Sequence, residues 1–157
     1  GAAPQRISLL DSRTSAENLA LPLVARGDSE GACDAVDAVL HALDLARVRD
    51  VPVRALTHTE RVALCIGRAC IGSPELILVD AGMEALSGAL RTRAGQMLRR
   101  CHRHGATVVL FGREASGLAQ APSVELRVGD GAFELVDRLA PVPSPEAVMG
   151  PVAAGAQ

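Results

Sequence analysis

The period of the hydrophobic positions changes several times along the chain, and each change marks an element. Gln5 to Leu10 reads as an extended leading stretch. It runs into the turn-forming cluster Asp11-Ser12-Arg13-Thr14 and then a short apolar piece, Leu19 to Val24, interrupted by Pro22. Asp28 or Ser29 is placed to cap the next element. Val36, Val39, Leu40 and Leu43 come next at i, i+3, i+4, i+7 and predict an amphipathic helix over 31–46. Arg47 to Ala55, charged and holding Pro52, predicts a loop. Thr57-His58-Thr59-Glu60 fits a capping box, in which the hydroxyl accepts from a freed N–H while the glutamate reaches back, so a helix should run from there to about Ile71.

From residue 76 the pattern switches again. Leu76-Ile77-Leu78-Val79 is a continuous apolar run ending in Asp80, which suits a buried parallel strand. A helix over about 85–104 carries Leu86, Leu90, Ala94, Met97, Leu98 and Cys101 on one stripe, with Gly105 at its C-terminal end. Thr107 to Phe111 is a second buried strand, which makes 76–111 one βαβ unit. Val124–Val128 and Ala132–Val136 flank Gly129-Asp130-Gly131 as a hairpin. Beyond Arg138 the Pro-, Ala- and Gly-rich tail shows no period and is expected to be disordered.

Composition adds exclusions. All 16 basic residues are Arg, and the chain holds no Lys. A phosphate loop with its ammonium, or a Schiff-base lysine, is therefore not available within these residues. The net charge of −2 gives no electrostatic reason for nucleic-acid binding. With two Phe and no Trp or Tyr, the core has to come from Ala, Val, Leu and Ile. Cys33, Cys65, Cys70 and Cys101 lack paired spacing and read as small apolar residues in a reducing compartment. Cys101-His102-Arg103-His104 has the donor types of a metal site. Two residues apart on a helix, however, the histidines do not share a face, and a cationic helix C-terminus accounts for them. No apolar run approaches the ~20 residues of a membrane span. Asp80 stands out, because open α/β sheets bind ligands at the carboxyl ends of parallel strands. Ala81-Gly82-Met83 adds no second acid or nucleophile beside it.

In this order, the features resemble the ATP-binding domains of ABC transporters from Gln5 to about Val136. Gln5 resembles the Q-loop glutamine, and Glu17 to Leu23 resembles the family stretch just beyond that loop. Leu56-Thr57-His58-Thr59-Glu60, with Arg68-Ala69 after it, sits where the family has its L-S-G-G-E signature and A-R-A. Leu76 to Gly82 sits on Walker B, Thr107 to Arg113 on the strand leading to the switch histidine, and Asp130-Gly131 on the closing hairpin.

The resemblance implies an α/β fold, a partial P-loop ATPase core without its phosphate-loop strand, with a helical subdomain and a C-terminal β-hairpin. It divides the chain into a Q-loop-like leading segment (1–27), a helical subdomain with a degenerate signature (28–72), an α/β half-core (73–138) and a tail (139–157). The departures then set the functional expectation. The family's water-polarising carboxylate falls on Ala81, which can neither orient nor deprotonate water. The switch histidine falls on Arg113, the two signature glycines on His58 and Thr59, and the D-loop aspartate on Ser87. Gln5, Thr57 and Asp80 remain as nucleotide-binding remnants. Asp80 is a weak Mg²⁺ candidate, since Mg²⁺ leans on substrate phosphates.

The phosphate-loop segment precedes the Q-loop in the family and so lies outside this match. The expectation is a non-hydrolysing protein that binds an ABC transporter membrane subunit or a full ATPase subunit, with ATP and Mg²⁺ bound only weakly or with a partner. It would be cytoplasmic, on the inner face of the membrane or free of it. The alternative is an ATPase subunit completed by a second chain that supplies the phosphate loop. In the family the phosphate-loop strand separates strand 107–111 from strand 124–128. Without it, those two strands should either pair directly or be closed by a second chain, a homodimer included.

Overall fold

A computed structural model describes residues 1–4, 7–28, 30–80, 82–86 and 88–112, and the backbone of 124–129 and 132–138. Gln5, Ala81, Ser87, Arg113, the Asp130-Gly131 turn and the tail from 139 lie outside the described residues. The chain forms two compact units, residues 1–117 and 118–157.

The first unit is a three-stranded parallel sheet, β1 (Ala2–Ala3), β2 (Leu76–Asp80) and β3 (Thr107–Phe111), with β2 in the middle. Register runs Ala2 to Leu78 on one side of β2 and Leu78 to Val109 on the other. Two residues carry no readable period, and β1 was not expected. β2 also departs from the expectation of full burial. Ile77 and Val79 are buried while Leu76 and Leu78 stay 45% and 37% exposed, so one face of the strand is covered and the other is open.

Helices α1 (Ser15–Ala25), α2 (Ala32–Ala42), α3 (His58–Cys70) and α4 (Gly88–Arg103) complete the unit. α1 corrects the reading of 11–24 as turn plus broken apolar piece. Thr14 caps it with a full capping box to Glu17, and the helix continues through Pro22. An interior proline costs about 3 kcal/mol in lost bonding and clash. Burial of Leu19 and Leu23 works against that cost, as does Asn18, which is fully buried. The Asn18 carboxamide accepts from the Leu10 N–H at 2.8 Å and donates to the carbonyls of Leu10, Arg13 and Thr14 at 3.1, 3.3 and 2.9 Å. The turn 10–14 is thus folded around one side chain.

α2 is shorter than the expected 31–46, and its N-cap is Gly31, with no side-chain cap from Asp28. Its end is a Schellman motif with Asp44 at φ 60°: the Leu45 N–H donates to Leu40 O at 2.8 Å and the Asp44 N–H to His41 O at 3.0 Å. Residues 46–55 hold two short 3-10 turns, Ala46–Val48 and Val53–Ala55. They are tied down rather than loose. The free N–H groups of Ser15 and Ala16 donate to Val51 O and Arg49 O, and Val53 N–H donates to Arg13 O. Arg49 is shared between Asp37 and Asp50 at 2.8 and 2.9 Å, and these carboxylates hold its guanidinium still more firmly protonated.

α3 takes the expected path. It is buried along most of its length, and a Cβ at Gly67 would meet Val39 Cγ1 at 2.8 Å, so the crossing with α2 is too close for a side chain. α4 starts three residues later than expected and ends as the stripe predicts. Gly105, at φ 98°, closes a second Schellman motif through Ala106 N–H to Cys101 O and Gly105 N–H to His102 O. Leu19, Leu40, Leu43, Leu45, Leu64, Ile66, Ile77, Leu86 and Leu98 are essentially solvent-free, the aliphatic core that composition required.

The second unit contains β4 (Val124–Gly129) and β5 (Ala132–Arg138), an antiparallel pair with Gly129 opposite Ala132, as the hairpin signal predicted. Among the described residues β3 pairs with β2, and β4 with β5. No helix among the described residues is long and apolar enough to cross a membrane.

Candidate functional site at the carboxyl end of the sheet

Asp80 is the last residue of β2, and its side chain is exposed at the carboxyl end of the parallel sheet. A cavity of about 370 Å³ opens there, lined by Ala3, Ile7, His58, Ile66, Asp80 and Glu84 among others. Three elements build it: the exit of β1, the first two turns of α3, and the turn after β2. Its walls are mostly aliphatic, and the polar groups of Asp80, Glu84 and His58 stand at its rim. Cys65 contributes from α3, where burial pushes its thiol pKa up and keeps it neutral.

Glu84 was not visible as part of the site. The residues directly after Asp80 carry no acid, but the turn over 82–85 brings a carboxylate back four residues on. Gly112, just past β3, lies against Glu84 Oε1, where a Cβ would make the flexible carboxylate shift. A carboxylate one turn after a strand-end aspartate, opposite a glycine on the neighbouring strand end, was the available signal.

Thr57 sits at the mouth of α3, close to this region through its neighbour His58. Its hydroxyl accepts from the Glu60 N–H at 3.3 Å and donates to Glu60 Oε2 at 2.8 Å, while the Thr57 N–H donates to the same oxygen at 2.8 Å. Arg47 binds the other Glu60 oxygen. Burial raises the Glu60 pKa, but the Thr57 N–H and hydroxyl and the Arg47 guanidinium outweigh it and hold the carboxyl below its ordinary range. Every polar atom of the Thr57 side chain is therefore engaged within its own capping box.

The leading segment is pinned onto α3 from the other side. Arg68 donates to the carbonyl and hydroxyl oxygens of Ser8 at 2.9 and 2.6 Å, and Arg61 pairs with Asp11 at 2.6 Å. Of these two arginines, both on α3, Arg68 was legible only as a family match and Arg61 not at all. Their work is to hold 8–11 against the cavity wall.

The structure thus brings Asp80 and the start of α3 to one cavity. Gln5, Ala81 and Arg113 are outside the described residues. Among the described residues no three His, Cys, Asp or Glu side chains converge to hold a metal ion. His102 and His104 engage different carbonyls, Ala106 O at 3.1 Å and Arg100 O at 2.7 Å, as a helix C-terminus would use them.

A short parallel sheet flanked by helices, with an acid at the carboxyl end of its central strand, makes this unit an open α/β core. Over the matched stretch the homologues of this chain are ATP-binding proteins of ABC transporters. It is 32% identical over 136 residues to the methionine import ATP-binding protein MetN of Photobacterium profundum, covering 85% of this chain and 39% of that protein. MetN of Haemophilus influenzae is 30% identical over 118 residues, 74% of this chain and 34% of that one. The macrolide export ATP-binding/permease protein MacB of Neisseria gonorrhoeae is 32% identical over 129 residues, 80% of this chain and 20% of that one. The chain therefore spans well under half the length of these relatives. In structure it is similar to the ATP-binding cassette MJ0796, solved as a dimer bound to ADP and Pi, with a TM-score of 0.79, 22% identity, and coverage of 90% of this chain and 63% of that one. No protein-family model matches the chain.

Proposed function

We propose that this chain is a non-hydrolysing relative of the ABC-transporter ATP-binding subunits that acts by binding a protein partner, a transporter membrane subunit or an ATPase subunit, on the cytoplasmic side of the membrane. The observation that carries this reading is Ala81. A methyl group comes after the strand-end aspartate where the family places the carboxylate that polarises the attacking water. The closed capping box at Thr57 supports it, because the hydroxyl at the signature position already has its donors and acceptors.

Phosphate release from Mg–ATP by the purified chain tests the reading: no turnover is expected. The double substitution Ala81→Glu with Gly82→Pro should not create activity in a chain without Lys. Turnover abolished by Glu84→Gln would overturn the proposal and assign the missing base to Glu84. A pull-down from native membranes, with and without ATP, should retain an ABC permease or ATPase subunit.

The exposed Asp80 and nearby Glu84 favour one competing reading, an ATPase completed by a second chain. That reading requires hydrolysis on mixing with a Lys-bearing ATP-binding partner, and loss of it in Asp80→Asn.

A further inference from the structure

Away from Asp80, two cysteines meet where α3 ends beside the last turn of α4. Cys70 is the final residue of α3 and is 7% exposed; Cys101 lies on α4, half-buried. Cys101 Sγ is 3.9 Å from the carbonyl oxygen of Cys70, which sets the two cysteines side by side. Both line a cavity of about 370 Å³ whose wall includes Val39, Ile71 and Met97, with Arg100 and His104 at its rim. The other two cysteines are placed differently. Cys33 is exposed and accepts from Arg49, and Cys65 is buried in the wall of the Asp80 cavity.

We propose that Cys101 is a modification site for low-molecular-weight disulfides, with Cys70 as the resolving thiol that converts the adduct into a Cys70–Cys101 cross-link between α3 and α4. In the first step the Cys101 thiolate attacks one sulfur of the small disulfide. The S–S bond breaks, and the departing thiolate takes up a proton from water. In the second step Cys70 gives up its proton and attacks Cys101 Sγ, expelling the second small thiolate. Two protein thiols are oxidised by two electrons, and one small disulfide is reduced to two thiols.

The surroundings divide these roles. Contact with Cys70, helped by the nearby Arg100 guanidinium, lowers the Cys101 pKa to about 7 against the opposing effect of burial, from an ordinary 9.0. The larger thiolate fraction at neutral pH outweighs the matching fall in nucleophilicity. Cys70 is pushed the other way, first by its contact with Cys101 and then by burial. Once Cys101 carries the adduct its negative charge is gone, and with it the largest of the causes that kept Cys70 protonated, leaving burial alone. The half-exposed sulfur therefore reacts first and the buried one second. Arg100 and His104 also suit the carboxylates of a peptide disulfide, so glutathione disulfide is the probe.

The test uses the full chain carrying Cys33→Ser, which removes the exposed competitor. Incubation with glutathione disulfide, then peptide mapping without reductant, should show a Cys70–Cys101 disulfide and a mass lower by two hydrogens. Adding Cys70→Ser should instead trap one glutathione on Cys101, and adding Cys101→Ser should abolish both products. The proposal is overturned if the Cys70-bearing protein keeps a stable glutathione adduct. It is equally overturned if Cys70 and Cys101 stay reduced, or if Cys70 is modified as fast without Cys101. Circular dichroism of the reduced variants shows that each remains folded.

Discussion

The chain builds the same four-residue device twice, at the start of α1 and at the start of α3, in two different settings. At Thr14-Ser15-Ala16-Glu17 the Thr14 N–H donates to Glu17 at 2.7 Å, the Glu17 N–H donates back at 3.1 Å, and Arg13 joins at 2.9 Å. At Thr57-His58-Thr59-Glu60 the same bonds form, but Glu60 is only 7% exposed and the box packs against the core. The sequence resemblance sets the second box, and not the first, on the family's nucleotide-facing signature. Since the first needs no nucleotide to exist, a threonine hydroxyl at position 57 is explained by helix capping in both settings. Burial separates the two boxes, and burial sets how much each is worth.

Glu60→Ala should produce the largest effect. It strips partners from the Thr57 N–H and hydroxyl in a buried setting and leaves Arg47 without its carboxylate, so urea denaturation should show a loss of about 2–3 kcal/mol. Thr57→Ala should cost about 1–2 kcal/mol, and Thr57→Ser only a few tenths; Thr14→Ala should cost less than Thr57→Ala. An equal loss at both threonines would remove burial as the distinction between them.

The acid limb of stability separates the boxes further. Both glutamates sit below their ordinary value of 4.5, Glu17 chiefly through the Thr14 N–H and then Arg13. A lowered folded pKa gives stability that is present above 4.5 and disappears as the pH falls through the folded value. Glu60→Gln should therefore flatten the stability–pH curve below that point more than Glu17→Gln does. Added salt should erase the Glu17 contribution first, because the Arg13–Glu17 pair is exposed. The smallest effect carries the opposite sign. Ser15, inside the first box, is fully buried, and its Oγ has no hydrogen-bond partner. Ser15→Ala should be neutral or stabilise by up to about 1 kcal/mol.

The two boxes also show how much could be read from the letters alone. Thr57-x-x-Glu60 precedes a clean helical stripe and predicted α3 with its cap. Thr14-x-x-Glu17 has the same spacing, but the turn-formers at 11–14 and Pro22 inside the next apolar piece argued against a helix. The contacts that overrule them, Asn18 on three carbonyls and Val51 and Arg49 on the first helical N–H groups, are tertiary. Strands β2 and β3 and the end of α4 were legible for the opposite reason, since apolar runs and Gly105 act locally. β1, at two residues, gave no pattern. At the candidate site Asp80 was visible as a strand-end acid. Glu84 and His58 were not, because only the fold brings a turn and a helix start to the same cavity.

Asn18 has a further consequence for how this chain tolerates change. Its carboxamide holds residues 10, 13 and 14 through main-chain atoms, which any residue but proline supplies at 10 and any residue supplies at 13, whereas Thr14 is also needed for its capping hydroxyl. A saturation library across the segment should therefore record one narrow column at 18, where even Asp loses the donors, beside broad tolerance at Leu10 and Arg13. The geometry of this turn is encoded eight residues away from where it starts, so sequence variation within it carries little information about its shape.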